Sequence, residues 1–168
     1  MPDSDVAPEI AILLGLLDEG FDRKAWHGPN LRGSLRGLAA AEAARRPGRG
    51  RHNVWEVAVH AAYWKYAVRR RLTGEKRGSF RLEGSNWFVR PAPGVRAASL
   101  ERAWKADLAL LADEHRLLRE VVARLAASEL EERSHGSRQT NLTLVRGVAA
   151  HDLYHAGQIQ LLKRLVRG

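Results

Sequence analysis

The chain has 168 residues, 45% of them hydrophobic, which suits one domain able to bury roughly two thirds of the surface exposed by its unfolded form. It has no cysteine, so disulfides, thiolate metal sites and cysteine nucleophiles are excluded and any metal must be held by His, Asp, Glu or backbone. The formal charge of +9 raises nucleic acid or another polyanion as a partner; yet the arginines are spread through every segment and no aromatic recognition motif accompanies Arg45-Arg46-Pro-Gly-Arg49-Gly-Arg51 or Arg69-Arg70-Arg71, so a solvated basic surface is preferred.

The acidic start, Met1 to Asp5, leads into a short apolar run, Ile10 to Leu17, broken by Gly15. This is neither a secretory signal nor a membrane span, and a cytoplasmic protein with no membrane contact is the expectation. A first helix is predicted from about Pro8 to Lys24, with Ile10, Leu13, Leu14, Leu17 and Phe21 on one face. A short helix around Leu31 to Ala44 and an Arg/Gly/Pro loop follow.

The second long helix opens at Asn53, where Asn-Val-Trp-Glu places an N-cap acceptor three residues before Glu56, a variant of the capping box. Its stripe is Val57, His60, Ala61, Trp64, Val68 and Leu72, and Thr73-Gly74 offers a stop. The long connection from Gly74 to Ala98 carries Trp87 and Phe88, which either close over one end of the fold or plug it; plugging is preferred. A third helix begins after Ser99 with the seam Trp104, Leu108, Leu111, His115, Leu118, Val122 and Leu125.

After a loop over Ser134 to Arg138, a fourth helix starts near Asn141 to Thr143 and carries the stripe Leu144, Val148, His151, His155, Gln158, Leu162 and Leu165. Four apolar stripes must bury one another, so the expected fold is an all-α four-helix bundle in a single domain spanning residues 1–168. Gly157 is read as allowing close helix contact.

His151 and His155 lie four apart on one helix face and aim both imidazoles at a common point, half of a metal site. Burying two unpaired imidazoles side by side is costly unless something binds their lone pairs. His60, on the inward stripe of the second long helix, is the best third ligand, and His115 is its rival. A lone inward histidine such as His115 is more often a hydrogen-bonded core residue. His27, His52 and His135 fall in loops. Gln158 could hydrogen-bond a metal-bound water or thiol, and Asp152 could orient a ligand, although a surface or packing role is at least as good a reading of either. His151-Asp-Leu-Tyr-His155 also matches the zincin pattern His-Glu-x-x-His with Asp for Glu. Asp is shorter than the usual general base and no acid or histidine follows His155, so a metalloprotease is set aside.

The segments Asn53-Val-Trp-Glu-Val-Ala-Val-His60-Ala-Ala-Tyr-Trp64 and His151-Asp-Leu-Tyr-His155-Ala-Gly-Gln-Ile159 together resemble the DinB/YfiT-like proteins. Trp26 to Leu35 and Arg46-Pro47 share the likeness, which covers nearly the whole chain. The resemblance implies an up-down-down-up bundle with His60, His151 and His155 as metal ligands and His115 outside the site. It also implies a homodimer and, from characterised members, a metal-dependent thiol S-transferase or isomerase joining a small-molecule thiol to an electrophile. The ion would be zinc or nickel, with manganese or iron as alternatives. Two readings compete: a non-catalytic, metal-stabilised stress-response bundle, and a basic nucleic-acid-binding stress protein.

Overall fold

The computed structural model describes residues 6–167. Its helices are α1 (Pro8–Phe21), α2 (Leu31–Leu35), α3 (Ala40–Ala43), α4 (Val54–Thr73), α5 (Leu100–Val122) and α6 (Asn141–Arg167). Short 3₁₀ turns at Ala97–Ser99 and Ala127–Glu131 precede α5 and α6. Among the described residues pairing of the β type is confined to two isolated bridges, Ala25 with Gly28 and Arg133 with Thr140. The all-helical expectation holds, with α4 packed against α5 and α6, and α1 against α6 and α5.

Local chemistry explains the boundaries. Pro8 opens α1, where its missing N–H costs nothing. The capping box at α4 is complete: Asn53 Oδ1 accepts from the Glu56 amide at 2.8 Å and Glu56 Oε2 accepts from the Asn53 amide. Gly74 ends α4 in the left-handed region at φ 73°, open to glycine at little steric cost. The single helix expected over residues 31–44 is instead two turns, broken where Gly37 takes φ 73°. Helix α1 ends three residues before Lys24, at Phe21.

The burial pattern on α6 corrects the expected stripe by one position. Its buried line runs Asn141, Val145, Val148, Asp152, His155, Ile159 and Val166, whereas Leu165 is 58% exposed. Asp152 therefore sits at the centre of the inward face, and His151 and Gln158 lie half-buried at its edge. Gly157 is exposed and a Cβ there would meet nothing within 4 Å, so it mediates no helix contact. The close approach lies at Gly20 of α1, where a Cβ would come 3.1 Å from the Ala149 carbonyl of α6.

The apolar core is in two parts. One contains Phe21, Trp55, Trp104, Leu111 and Ile159, the other Ile10, Leu17, Val68, Leu118 and Val148. Between them on each long helix falls a buried polar residue: Asp18 on α1, Lys65 on α4, His115 on α5 and Asp152 on α6. Lys65 and Asp152 form a fully buried ion pair, and Lys65 Nζ also donates to His115 Nδ1 at 3.3 Å. Asp18 receives Arg119 at 2.8 Å and lies 3.9 Å from His115. The charges of the polar layer are thus paired with one another, as burial of charge requires, although Asp152 Oδ1 has no hydrogen-bond partner.

Candidate metal centre

The three-histidine cluster is held by two rigid helices and one loop. His151 and His155 stand one turn apart on α6, and His60 stands opposite on α4. Their Nε2 atoms converge: His60 to His151 is 3.2 Å and His155 to His151 is 2.9 Å. Two nitrogens on one tetrahedral zinc stand about 3.4 Å apart, so these slightly shorter separations place the three rings where they could share an ion. One ligand atom from each residue lies within 4.8 Å of the others.

The outer nitrogens decide what the inner ones can be. His60 Nδ1 lies 2.8 Å from the Asn86 carbonyl, which can only accept, so Nδ1 carries the proton and Nε2 presents a lone pair. His155 Nδ1 likewise faces Gln158 Oε1 at 2.7 Å, with Gln158 oriented by its own donation to the Tyr154 hydroxyl at 2.9 Å. Two lone pairs therefore point at His151 Nε2, and one proton there could satisfy only one of them. A divalent cation satisfies all three. His151 Nδ1, buried and without a hydrogen-bond partner, carries the proton when Nε2 is a ligand.

Electrostatics favours the neutral, ligating form. Burial lowers the His60 pKa against the opposing pull of the Asn86 carbonyl. Burial and then its two neighbouring imidazoles lower His151 to about 3. His155 falls to about 4, mainly by burial. All three are thus free of protons at Nε2 or able to shed them near neutrality.

Trp87 neither plugs the bundle nor merely covers it. Its ring stacks on His60 at 3.8 Å between centroids and on His52 at 3.7 Å, in a three-ring pile His52-Trp87-His60. Phe88, beside it, is buried among Tyr63 and Phe80 and is the plug. His52 is anchored through Nδ1 to Glu56 Oε2 at 2.9 Å, and Arg46 bonds the other Glu56 oxygen. Burial works to raise the Glu56 carboxyl, but hydrogen bonds from His52, Arg46 and the Arg90 amide outweigh it and hold it below the ordinary carboxylate range. Asn86, at φ 64°, serves twice: its carbonyl binds His60 and its side chain accepts from Trp64 Nε1 at 3.0 Å.

A cavity of about 660 Å³ opens on the cluster, lined by all three histidines, Trp87, Tyr154, the α6 leucines 161, 162 and 165, and the loop cations Arg49 and Arg51. A slightly larger cavity, about 710 Å³, lies between Phe21, the α2 turn and α5, and no histidine lines it.

Of the residues singled out in the sequence, His60, His151 and His155 come together and His115 does not join them. His115 stacks on Phe21 at 3.9 Å and is the hydrogen-bonded core histidine expected of an isolated inward imidazole. Gln158 contacts the cluster through His155 Nδ1, on the side of the ring away from the converging Nε2 atoms. Asp152 is neither a surface residue nor a hydrogen-bond partner of any ring of the cluster; it neutralises Lys65. His27 and His135 lie elsewhere, His135 against Gly74. Sequence reasoning missed Lys65, whose type reads as surface, and Asn86, whose carbonyl leaves no trace in side-chain identity.

A family model described as the DinB superfamily matches residues 25–159, a span that includes all three clustered histidines, and the chain belongs to that superfamily. No curated protein and no solved structure matches the chain.

Proposed function

We propose that this DinB-superfamily chain is a metal-dependent enzyme of the thiol S-transferase or isomerase type, with His60, His151 and His155 as the ligands of one divalent ion. The observation that carries the metal reading is the convergence of three Nε2 atoms, two of them fixed as lone-pair donors by Asn86 and Gln158. Imidazole ligands suit zinc or nickel, with manganese or iron as alternatives. A bound ion of this kind is a Lewis acid that lowers the pKa of a thiol or water placed on it.

The chain's own residues supply the rest. Gln158 and the Asn86 carbonyl fix ring orientation and tautomer, the contribution that outer partners make to a metal site. Trp87 and Tyr154 wall the approach, and Arg49 and Arg51 give the cavity a cationic side that attracts an anionic thiol or electrophile. Three protein ligands beside a 660 Å³ cavity favour the enzyme over the purely structural ion, since structural sites are closed by a fourth ligand. The non-catalytic, metal-stabilised bundle and the nucleic-acid-binding protein are the competing readings.

Exposed apolar side chains on α6, Leu153, Tyr154, Leu161 and Leu165, support a homodimer through helix surface. No helix among the described residues is long and apolar enough to cross a membrane.

The test is elemental analysis of protein purified without a metal-affinity tag, followed by a panel of small thiols against a model electrophile. Stoichiometric metal and thiol-dependent turnover are expected. Metal that raises the melting temperature without turnover selects the structural reading, and protein that neither retains nor takes up zinc, nickel or manganese removes the metal altogether.

A further inference from the structure

A third cavity, of about 270 Å³, lies between the C-terminal half of α4 and the N-terminal half of α6. Trp64, Val68 and Leu144 give it apolar walls, and Arg71, Gly147 and His151 are among its other lining residues. Two of these residues hold polar atoms that the fold leaves unsatisfied. Arg71 Nε is buried with no hydrogen-bond partner, and so is His151 Nδ1. Other half-buried arginines are paired: Arg69 meets Glu75 and Glu114, and Arg90 meets Asp107. Among the described residues Arg71 meets no acid. Native proteins leave few such groups unpartnered, because a buried N–H without an acceptor is costly.

Gly147 is the second observation. It lies inside α6, where glycine is a poorer helix former than any residue but proline. Packing does not demand it, since a Cβ there would meet nothing within 4 Å. Its missing side chain leaves the cavity open.

We propose that this cavity is a second binding site, for a small monocarboxylate with a short apolar body. The chemistry selects that class. A guanidinium presents N–H groups in a planar fork that matches a carboxylate, and a single guanidinium balances one negative charge. The walls of Trp64, Val68 and Leu144 require an apolar body, and the volume lies just below the usual range of ligand pockets, so that body is small. His151 belongs to this cavity and to the three-histidine cluster at once. An acceptor on its Nδ1–H strengthens Nε2 as a donor, so carboxylate and metal reinforce each other. That coupling rests on the metal reading above; the carboxylate site does not.

The experiment is calorimetric titration of the full chain with benzoate, benzyl alcohol and inorganic phosphate, with and without zinc. Benzoate binds; benzyl alcohol, lacking the charge, and phosphate, lacking the apolar body, do not. Arg71→Gln loses benzoate affinity by roughly tenfold or more, while Arg146→Gln, at an exposed arginine of α6, keeps it. Gly147→Leu fills the cavity and abolishes binding; if that variant fails to fold, Arg71→Gln decides alone. No benzoate binding, or equal binding by wild type and Arg71→Gln, overturns the proposal. So does a fall in melting temperature in Arg71→Gln with unchanged benzoate affinity, which would leave Arg71 as a cation serving only the end of α4. Benzoate binding that depends on Arg71 in a protein unable to bind zinc leaves this site standing and removes the metal reading alone.

Discussion

His60 and His115 are both inward imidazoles on neighbouring helices, and their partners separate their chemistry. His60 has its Nδ1 capped by a carbonyl and its Nε2 turned to two other histidines, whereas His115 accepts from an ammonium and stacks on a phenyl ring. Replacing His60, His151 or His155 by Ala should therefore weaken zinc binding far more than His115→Ala, measured by competition with a chromophoric chelator; equal losses at positions 60 and 115 would mean that the third ligand is misassigned. His115 should show itself through pH instead. Burial, with the charges of Lys65, Arg119 and Arg32 adding to it, lowers its pKa to about 2, even with the Asp18 carboxylate 3.9 Å away. The unfolded chain binds that proton near pH 6.5, so the unfolded state holds more protons below that pH and stability falls as the solution is acidified. Denaturation midpoints of chelator-treated protein should drop from about pH 6.5 downward, and His115→Gln should lose part of that slope. That His151 and His155 share a face was legible because spacing on one helix determines it, and His60 joined them through its place on the inward stripe of α4. Lys65 was not, since a lysine is almost never buried without a partner, and its partner lies 87 residues away.

At the level of elements, the apolar pattern of α1 was read residue for residue, because every one of its large apolar positions except Ile12 and Leu16 faces in. In α6 the reading slipped by one position. Leucines 144, 162 and 165 pulled the stripe toward the edge, while the true centre holds Asp152, a residue type that hydrophobic periodicity counts as outward. The two-helix break at Gly37 was likewise hidden, since a left-handed glycine looks the same in sequence as a helical one. The exposed Gly157 now has no packing duty. Gly157→Ala should stabilise the protein by up to about 1 kcal/mol through helix propensity, read from denaturant midpoints. A loss of stability would show that Gly157 contacts something in an assembly of chains.

Across the whole molecule, the core is two apolar clusters divided by a charged layer, and that division makes the centre of the bundle selective about substitution. Lys65→Met strands the Asp152 carboxylate in a site with no exposure and should cost on the order of 3–5 kcal/mol. Lys65→Met with Asp152→Leu removes both charges and should recover most of that loss, a double-mutant cycle in urea being the measurement. A pair whose double variant is no better than its worse single would mean that Asp152 has other duties. The same architecture bears on the order in which the chain acquires its shape. His151 and His155 need only one formed turn of α6 to present a two-nitrogen clip, whereas His60 must be brought in from 91 residues away along the chain. With these two histidines as ligands, as proposed above, a nascent α6 would seize an ion before α4 has docked, and that early capture would fix a turn whose nucleation is otherwise unfavourable. Stopped-flow refolding should then run faster with zinc present at the start than with zinc added after the burst. In a His151→Ala chain, which lacks the clip, the two orders of addition should give the same rate.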